Sequence, residues 1–132
     1  MSAVNTPQKS TALIVDDNYY NRDVCALALK HIGYNVTEAH NGVEALSILA
    51  DQTFDLLVLD LQMPEMDGAS VIRQIRKQSL HHNMTVIVIT ANYHMATDEV
   101  DLNADYVMYK PIDIDEFAQF ARRLADFKKD SR

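Results

Sequence analysis

A single cysteine, Cys25, cannot form an internal disulfide, so nothing in the chain calls for an oxidising compartment. No apolar run approaches the length of a membrane span, and the opening Met1-Ser2-Ala3-Val4-Asn5-Thr6-Pro7 lacks the hydrophobic core of a secretory signal. Basic residues are outnumbered: 12 Lys and Arg against 19 Asp and Glu give a net charge of −7. That argues against nucleic acid, whose phosphates need clustered cations. The cluster Lys128-Lys129-Asp130-Ser131-Arg132 is too short to reverse this and reads as a solvated helix end, where cations suit the dipole. No glycine-rich phosphate loop follows the first apolar run, which counts against nucleotide binding. Repeats and low-complexity segments are missing as well. The expectation is a cytoplasmic protein with neither membrane nor nucleic acid as a partner.

What is present is one domain's worth of chain: 132 residues, 48% hydrophobic and 23% charged. Residues 1–10 are polar, carry Pro7 and read as a disordered arm; 11–127 form the domain, and 128–132 a tail. Within the domain, short β-branched runs alternate with helical periodicities, the pattern of βα units around a parallel sheet. Strands are predicted at 11–15, 34–38, 54–59, 84–89 and 105–109. Leu56-Leu57-Val58-Leu59 and Val86-Ile87-Val88-Ile89 are apolar on both faces, as in central strands covered on each side.

Between them, Val24, Leu27, Ala28 and Ile32 fit the core stripe of a first helix stopped by Gly33. Leu46, Leu49 and Ala50 mark a second helix after Asn41-Gly42, and Val71, Ile72 and Ile75 a third from near Asp67-Gly68. The stretch His94 to Leu102 has modest helix propensity and few apolar anchors, so the fourth helix should be short or irregular. Asp113 is a plausible N-cap for the last, whose stripe is Phe117, Phe120, Ala121, Leu124 and Phe127. Cys25 reads as a small core residue. His81-His82 lie in a polar connection with no acids nearby and read as an exposed loop.

Three apolar runs end in charge. Ala12-Leu13-Ile14-Val15 closes on Asp16-Asp17, Phe54 to Leu59 closes on Asp60, and Tyr106-Val107-Met108-Tyr109 closes on Lys110-Pro111. In a parallel sheet the strand C-termini line one edge, where open α/β folds place their ligand sites. Two carboxylates about 5 Å apart repel by roughly 3 kcal/mol at an effective dielectric near 20, so gathering these acids needs a cation. Carboxylate oxygens without His or Cys favour Mg²⁺ over zinc. Phosphoryl transfer asks mainly for positioning and charge neutralisation, so acids, a metal and a lysine on one edge suit it.

Ile14-Val15-Asp16-Asp17-Asn18, Leu59-Asp60-Leu61-Gln62-Met63-Pro64-Glu65-Met66-Asp67-Gly68, Ile89-Thr90-Ala91-Asn92 and Lys110-Pro111 together resemble the receiver domain of two-component response regulators, over residues 11 to about 127. The resemblance implies a flavodoxin-like three-layer α/β/α sandwich, its five-stranded parallel sheet in the order 2-1-3-4-5. It also implies that Asp60 takes a phosphoryl group from a phosphohistidine on a sensor histidine kinase or histidine phosphotransfer protein. Asp17 and Asp60 would ligate Mg²⁺, with Asp16 acting through water and the backbone carbonyl of Gln62 as a further ligand. Lys110 would pair with Asp60 and then with a phosphoryl oxygen, while the Thr90 hydroxyl contacts another and starts the switch. In this family the peptide matching Lys110-Pro111 is usually cis. Such a protein catalyses its own phosphorylation and dephosphorylation, and with no output domain after residue 127 it would signal through protein contacts.

The chain departs from the family at Val107, where receivers commonly carry the aromatic that swings inward; Tyr109, on the same face of the strand, is the candidate replacement. The interval from Thr90 to Lys110 is slightly short, at the expense of the fourth helix. Asn18 to Arg22 looks most like receivers of hybrid histidine kinases. The rivals to a stand-alone receiver are therefore a degenerate receiver that binds without phosphorylation and a fragment of a hybrid kinase. An aspartyl phosphatase is disfavoured by Gln62, which stands where such enzymes want a second acid.

Overall fold

A computed structural model describes residues 9–63, 68–92, 94 and 97–130, with only the backbone at 99, 101, 102, 129 and 130. The elements run β1 (Thr11–Val15), α1 (Tyr19–His31), β2 (Asn35–Ala39), α2 (Gly42–Asp51), β3 (Leu56–Asp60), α3 (Gly68–Arg76), a 3-10 turn (Ser79–His81), β4 (Thr85–Thr90), α4 (Asp98–Asn103), β5 (Tyr106–Tyr109) and α5 (Ile114–Asp130). The five strands are parallel in the order β2-β1-β3-β4-β5, as expected. Alternation along the central strands feeds two cores. Leu13, Val15, Leu57, Leu59, Val86 and Val88 meet α2, α3 and Val100 of α4 on one face. Ala12, Ile14, Leu56, Val58, Ile87 and Ile89 meet α1 and α5 on the other. The result is the three-layer α/β/α sandwich.

Gly33 and Asp113 close and open their helices as predicted, and Asn41 adds a cap at the start of α2. Gly33 takes φ 109°, its N–H bonding Lys30 O while Tyr34 N bonds Leu29 O, which closes α1. Asn41 Oδ1 accepts from Glu44 N at the start of α2, and Asp113 Oδ1 accepts from Asp115 N and Glu116 N at the start of α5. The fourth helix is short, with six residues. Strand boundaries move by one or two residues, and each of β3 and β4 gains its terminal polar residue, Asp60 or Thr90.

Several expectations need correction. In α1 the buried residues are Arg22, Cys25, Ala26 and Leu29, while Val24 and Leu27 are 50% and 56% exposed. Two stripes satisfied the helical period, and the one with small residues and a partnered arginine faces the sheet. Cys25 does lie in the core, where burial pushes its thiol up to about 11. Ala50 of α2 is exposed and Ala45 is buried instead. Phe127 is 71% exposed, although Phe117 and Ala121 of the same helix are buried. That helix continues to Asp130, and Lys128 is no solvated tail: its Nζ donates to the backbone carbonyls of Asp55 and Asn83. At the other end, Ser10 is buried and its carbonyl accepts from Asn35 N, so Ser10 packs with the domain. His81 is the clearest reversal. It is buried in the 3-10 turn, with Nε2 2.9 Å from Leu49 O and no partner for Nδ1 among the described residues. Its neighbour His82 is exposed.

Candidate functional site

Three strand ends deliver the predicted charges to one edge. One carboxylate oxygen from each of Asp16, Asp17 and Asp60 lies within 4.8 Å of the others. Asp16 and Asp60 are almost wholly buried; Asp17 faces solvent. The two buried acids are aimed by the same local device. Asp16 Oδ1 accepts from Asn18 N and Asp60 Oδ1 from Gln62 N, both at 2.9 Å. In each case a carboxylate bonding the amide two residues on turns the chain away and leaves its second oxygen free to face the cluster. Lys110 meets those second oxygens. Its Nζ stands 3.0 Å from Asp60 Oδ2 and 3.8 Å from Asp16 Oδ2.

The electrostatics follow from this crowding. Burial is the main reason the Asp16 carboxyl is pushed up to about 6, with the Asp60 charge adding to it. The Asn18 N–H and the Lys110 ammonium pull the other way. Burial alone would lower Lys110, but the hydrogen bond and charge of Asp60, together with the charges of Asp16 and Asp17, raise the lysine on balance. One ammonium thus stands among three acids, and the donor set is hard oxygen without His or Cys. That set fits a divalent cation such as Mg²⁺. Removing any one of these three carboxylates would weaken that fit.

The remaining predicted residues fall around this centre. Gln62 follows Asp60 directly and is exposed, with its N–H committed to Asp60. Thr90 ends β4, fully buried, and its hydroxyl is engaged with the next loop: Oγ1 accepts from Asn92 N at 3.0 Å and donates to Asn92 O at 3.2 Å. Lys110 N donates to Thr90 O, tying the two strand ends together, and the Lys110–Pro111 peptide is cis. Tyr109 is 38% exposed at the end of the edge strand, whereas Val107 packs into the α3–α4 core. Pro64, Glu65, Met66 and Asp67 of the second motif lie outside the described residues.

Two neighbours of the site, Gly68 and Arg22, were given no part in it by the sequence reading. Gly68 opens α3 directly against the Asp60–Leu61 backbone, with its N–H on Leu61 O. Arg22 is buried in α1, with Nη1 2.7 Å from Asp16 O and Nε 3.1 Å from Glu38 Oε1. The available signal was its place on an α1 stripe with Cys25, Ala26 and Leu29, one helical turn apart.

The sequence model of the response regulator receiver domain matches residues 12–122. The chain belongs to that family. As a receiver of two-component signalling, it is 37% identical over 114 residues to the response regulator MprA of Mycobacterium avium, covering 85% of this chain and 49% of that protein. It is 34% identical over 114 residues to the sensor protein EvgS of Escherichia coli K12, covering 85% of this chain and 9% of the sensor. The receiver thus spans half or less of these relatives. Among solved structures, it superposes on a receiver domain from Methanospirillum hungatei with a TM-score of 0.83 at 23% identity, covering 95% of this chain and 100% of that one. Another similar structure is TrrA of Thermotoga maritima in complex with Mg²⁺-BeF: TM-score 0.78 at 31% identity, 87% of this chain and 98% of that one. No helix among the described residues is long and apolar enough to cross a membrane.

Proposed function

We propose that this chain is a cytoplasmic receiver that accepts a phosphoryl group on Asp60 and changes its protein contacts in response. The donor is a phosphohistidine on a sensor histidine kinase or a histidine phosphotransfer protein. The observation carrying this reading is Lys110 Nζ at 3.0 Å from Asp60 Oδ2, beside three carboxylates within 4.8 Å of one another. An Asp60 oxygen attacks phosphorus, the donor's N–P bond breaks, and the imidazole leaves and takes a proton from solvent. Lys110 moves its hydrogen bond from the carboxylate to a phosphoryl oxygen.

Asp16, Asp17 and Asp60, with the backbone carbonyl of Gln62, are the groups that would hold Mg²⁺, which supplies neutralisation of phosphoryl and carboxylate charge. TrrA, solved with Mg²⁺-BeF, supports that choice of ion by similarity. Thr90 is the first relay of the switch. Its hydroxyl exchanges Asn92 for a phosphoryl oxygen, which releases the loop beyond β4, and Tyr109 adjusts beside it. Incubation with acetyl phosphate and Mg²⁺, read by intact mass, should add one phosphoryl group, and Asp60→Asn should remove that gain without unfolding the protein. No mass gain in the parent protein would favour a degenerate, phosphorylation-independent receiver instead.

A setting inside a hybrid kinase has support of its own. EvgS is a sensor protein, and hybrid signal transduction histidine kinase E of Dictyostelium discoideum is 34% identical over 113 residues, covering 81% of this chain and 7% of the kinase. The phosphoacceptor chemistry is the same in both settings; the identity of the donor separates them.

A further inference from the structure

We infer that Arg22 is a positioning residue of the phosphorylation site, aiming the Asp16–Asp17 turn through the backbone rather than touching metal or phosphoryl group. The inference rests on the site reading above. Three bonds fix Asp16: its N–H donates to Ala39 O at 3.2 Å, its Oδ1 accepts from Asn18 N at 2.9 Å, and its carbonyl accepts from Arg22 Nη1 at 2.7 Å. The last is the shortest of the three and comes from a charged donor, while the Lys110 ammonium stands farther off at 3.8 Å from Asp16 Oδ2; charge-assisted bonds are the stronger kind.

The guanidinium is itself held. Arg22 is 5% exposed, its Nε is 3.1 Å from Glu38 Oε1, and its Cζ sits 5.6 Å from the Tyr19 ring centroid. Glu38 lies on β2 opposite Ile14, one residue pair before the β1 strand end. The planar fork therefore spans from the neighbouring strand to the peptide joining the two acids. A buried cation in this place has two possible effects, which carry opposite signs. Its charge, close behind the acids, opposes a divalent ion and loosens its binding. Its bond to Asp16 O orients the acids and tightens it. Lysine keeps the charge but cannot reproduce a rigid fork reaching two acceptors at once.

Arg22→Lys isolates the orienting role. Titration calorimetry with Mg²⁺ alone should show roughly tenfold weaker binding than the parent, the scale at which groups supporting metal ligands act. Phosphoryl uptake from acetyl phosphate should need correspondingly more Mg²⁺ yet return to within about twofold of the parent rate at saturation. Glu38→Gln should move the Mg²⁺ midpoint the same way by less, and it carries the test with its own folding checked by circular dichroism if Arg22→Lys fails to fold. Unchanged Mg²⁺ affinity in a folded Arg22→Lys protein overturns the inference, as does a rate deficit that saturating Mg²⁺ does not restore. A parent protein that binds no Mg²⁺ overturns the site reading itself. Equal binding by parent and variant overturns only the role given to Arg22.

Discussion

Lys110 Nζ and Asp60 Oδ2 stand 3.0 Å apart, although 50 residues separate them along the chain. Parallel pairing of β3 with β4 and of β4 with β5 brings both to the same sheet edge. The lysine holds one Asp60 oxygen and Gln62 N the other, so the carboxylate is oriented before any phosphoryl group arrives. Lys110→Ala should leave Mg²⁺ binding present, because the acids remain, yet uncouple phosphorylation from partner binding. Equal gain in partner affinity for the variant and the parent on phosphorylation would contradict this. The same change should push the Asp16 carboxyl further up, since the ammonium now holds it down.

The Asp16 carboxyl gives a pH dependence of definite sign. Its value rises from 3.8 in the unfolded chain to about 6 in the fold. The native state therefore binds this proton more tightly, so its contribution is fully present below the lower value and fades as pH rises through the higher one. In EDTA the protein should lose on the order of 1–3 kcal/mol of stability between those limits, a loss that Asp16→Asn abolishes. With Mg²⁺ the preference reverses, because the ion requires the carboxylate, and affinity should fall below about pH 6. Urea denaturation of both proteins at several pH values, with and without Mg²⁺, measures both effects.

Gly68→Ala should be costly at a position without any charged group. A Cβ there would sit 2.7 Å from Leu61 Cδ2, 2.8 Å from Leu61 Cα and 3.1 Å from Asp60 O. The leucine tip can swing aside, but the backbone beside the phosphoacceptor cannot. A loss of roughly 2 kcal/mol in urea denaturation, in the range of overpacked cores, is expected together with slower phosphoryl uptake. Full stability with normal uptake would show that α3 shifts freely away from β3.

His81 is expected to matter for stability and not for chemistry. Its ring fills a wholly buried place and joins the 3-10 turn to the end of α2 through Leu49 O. His81→Ala leaves a cavity and a carbonyl without that partner, a combination worth about 2–4 kcal/mol. Phosphoryl uptake at low temperature should be unaffected. His82→Ala, on the exposed neighbour, serves as the control and should change neither.

Strand number and the convergence of Asp16, Asp17, Asp60 and Lys110 were legible in the chain itself, and the strand order followed from the resemblance its motifs carry. Runs such as Leu56 to Leu59 are apolar on both faces, and only a central parallel strand accommodates that. Each such run also ended in a residue of the site. The cap at Asp113 was readable too, because its bonds reach only two or three residues ahead. Tertiary packing alone decided which of two α1 stripes faces inward, that His81 is buried, and that Phe127 is not. Periodicity reports that a face is apolar but not its angle around the helix axis. That angle was set by contacts with residues distant in sequence: Glu38 for Arg22, Leu49 for His81, and the carbonyls of Asp55 and Asn83 for Lys128.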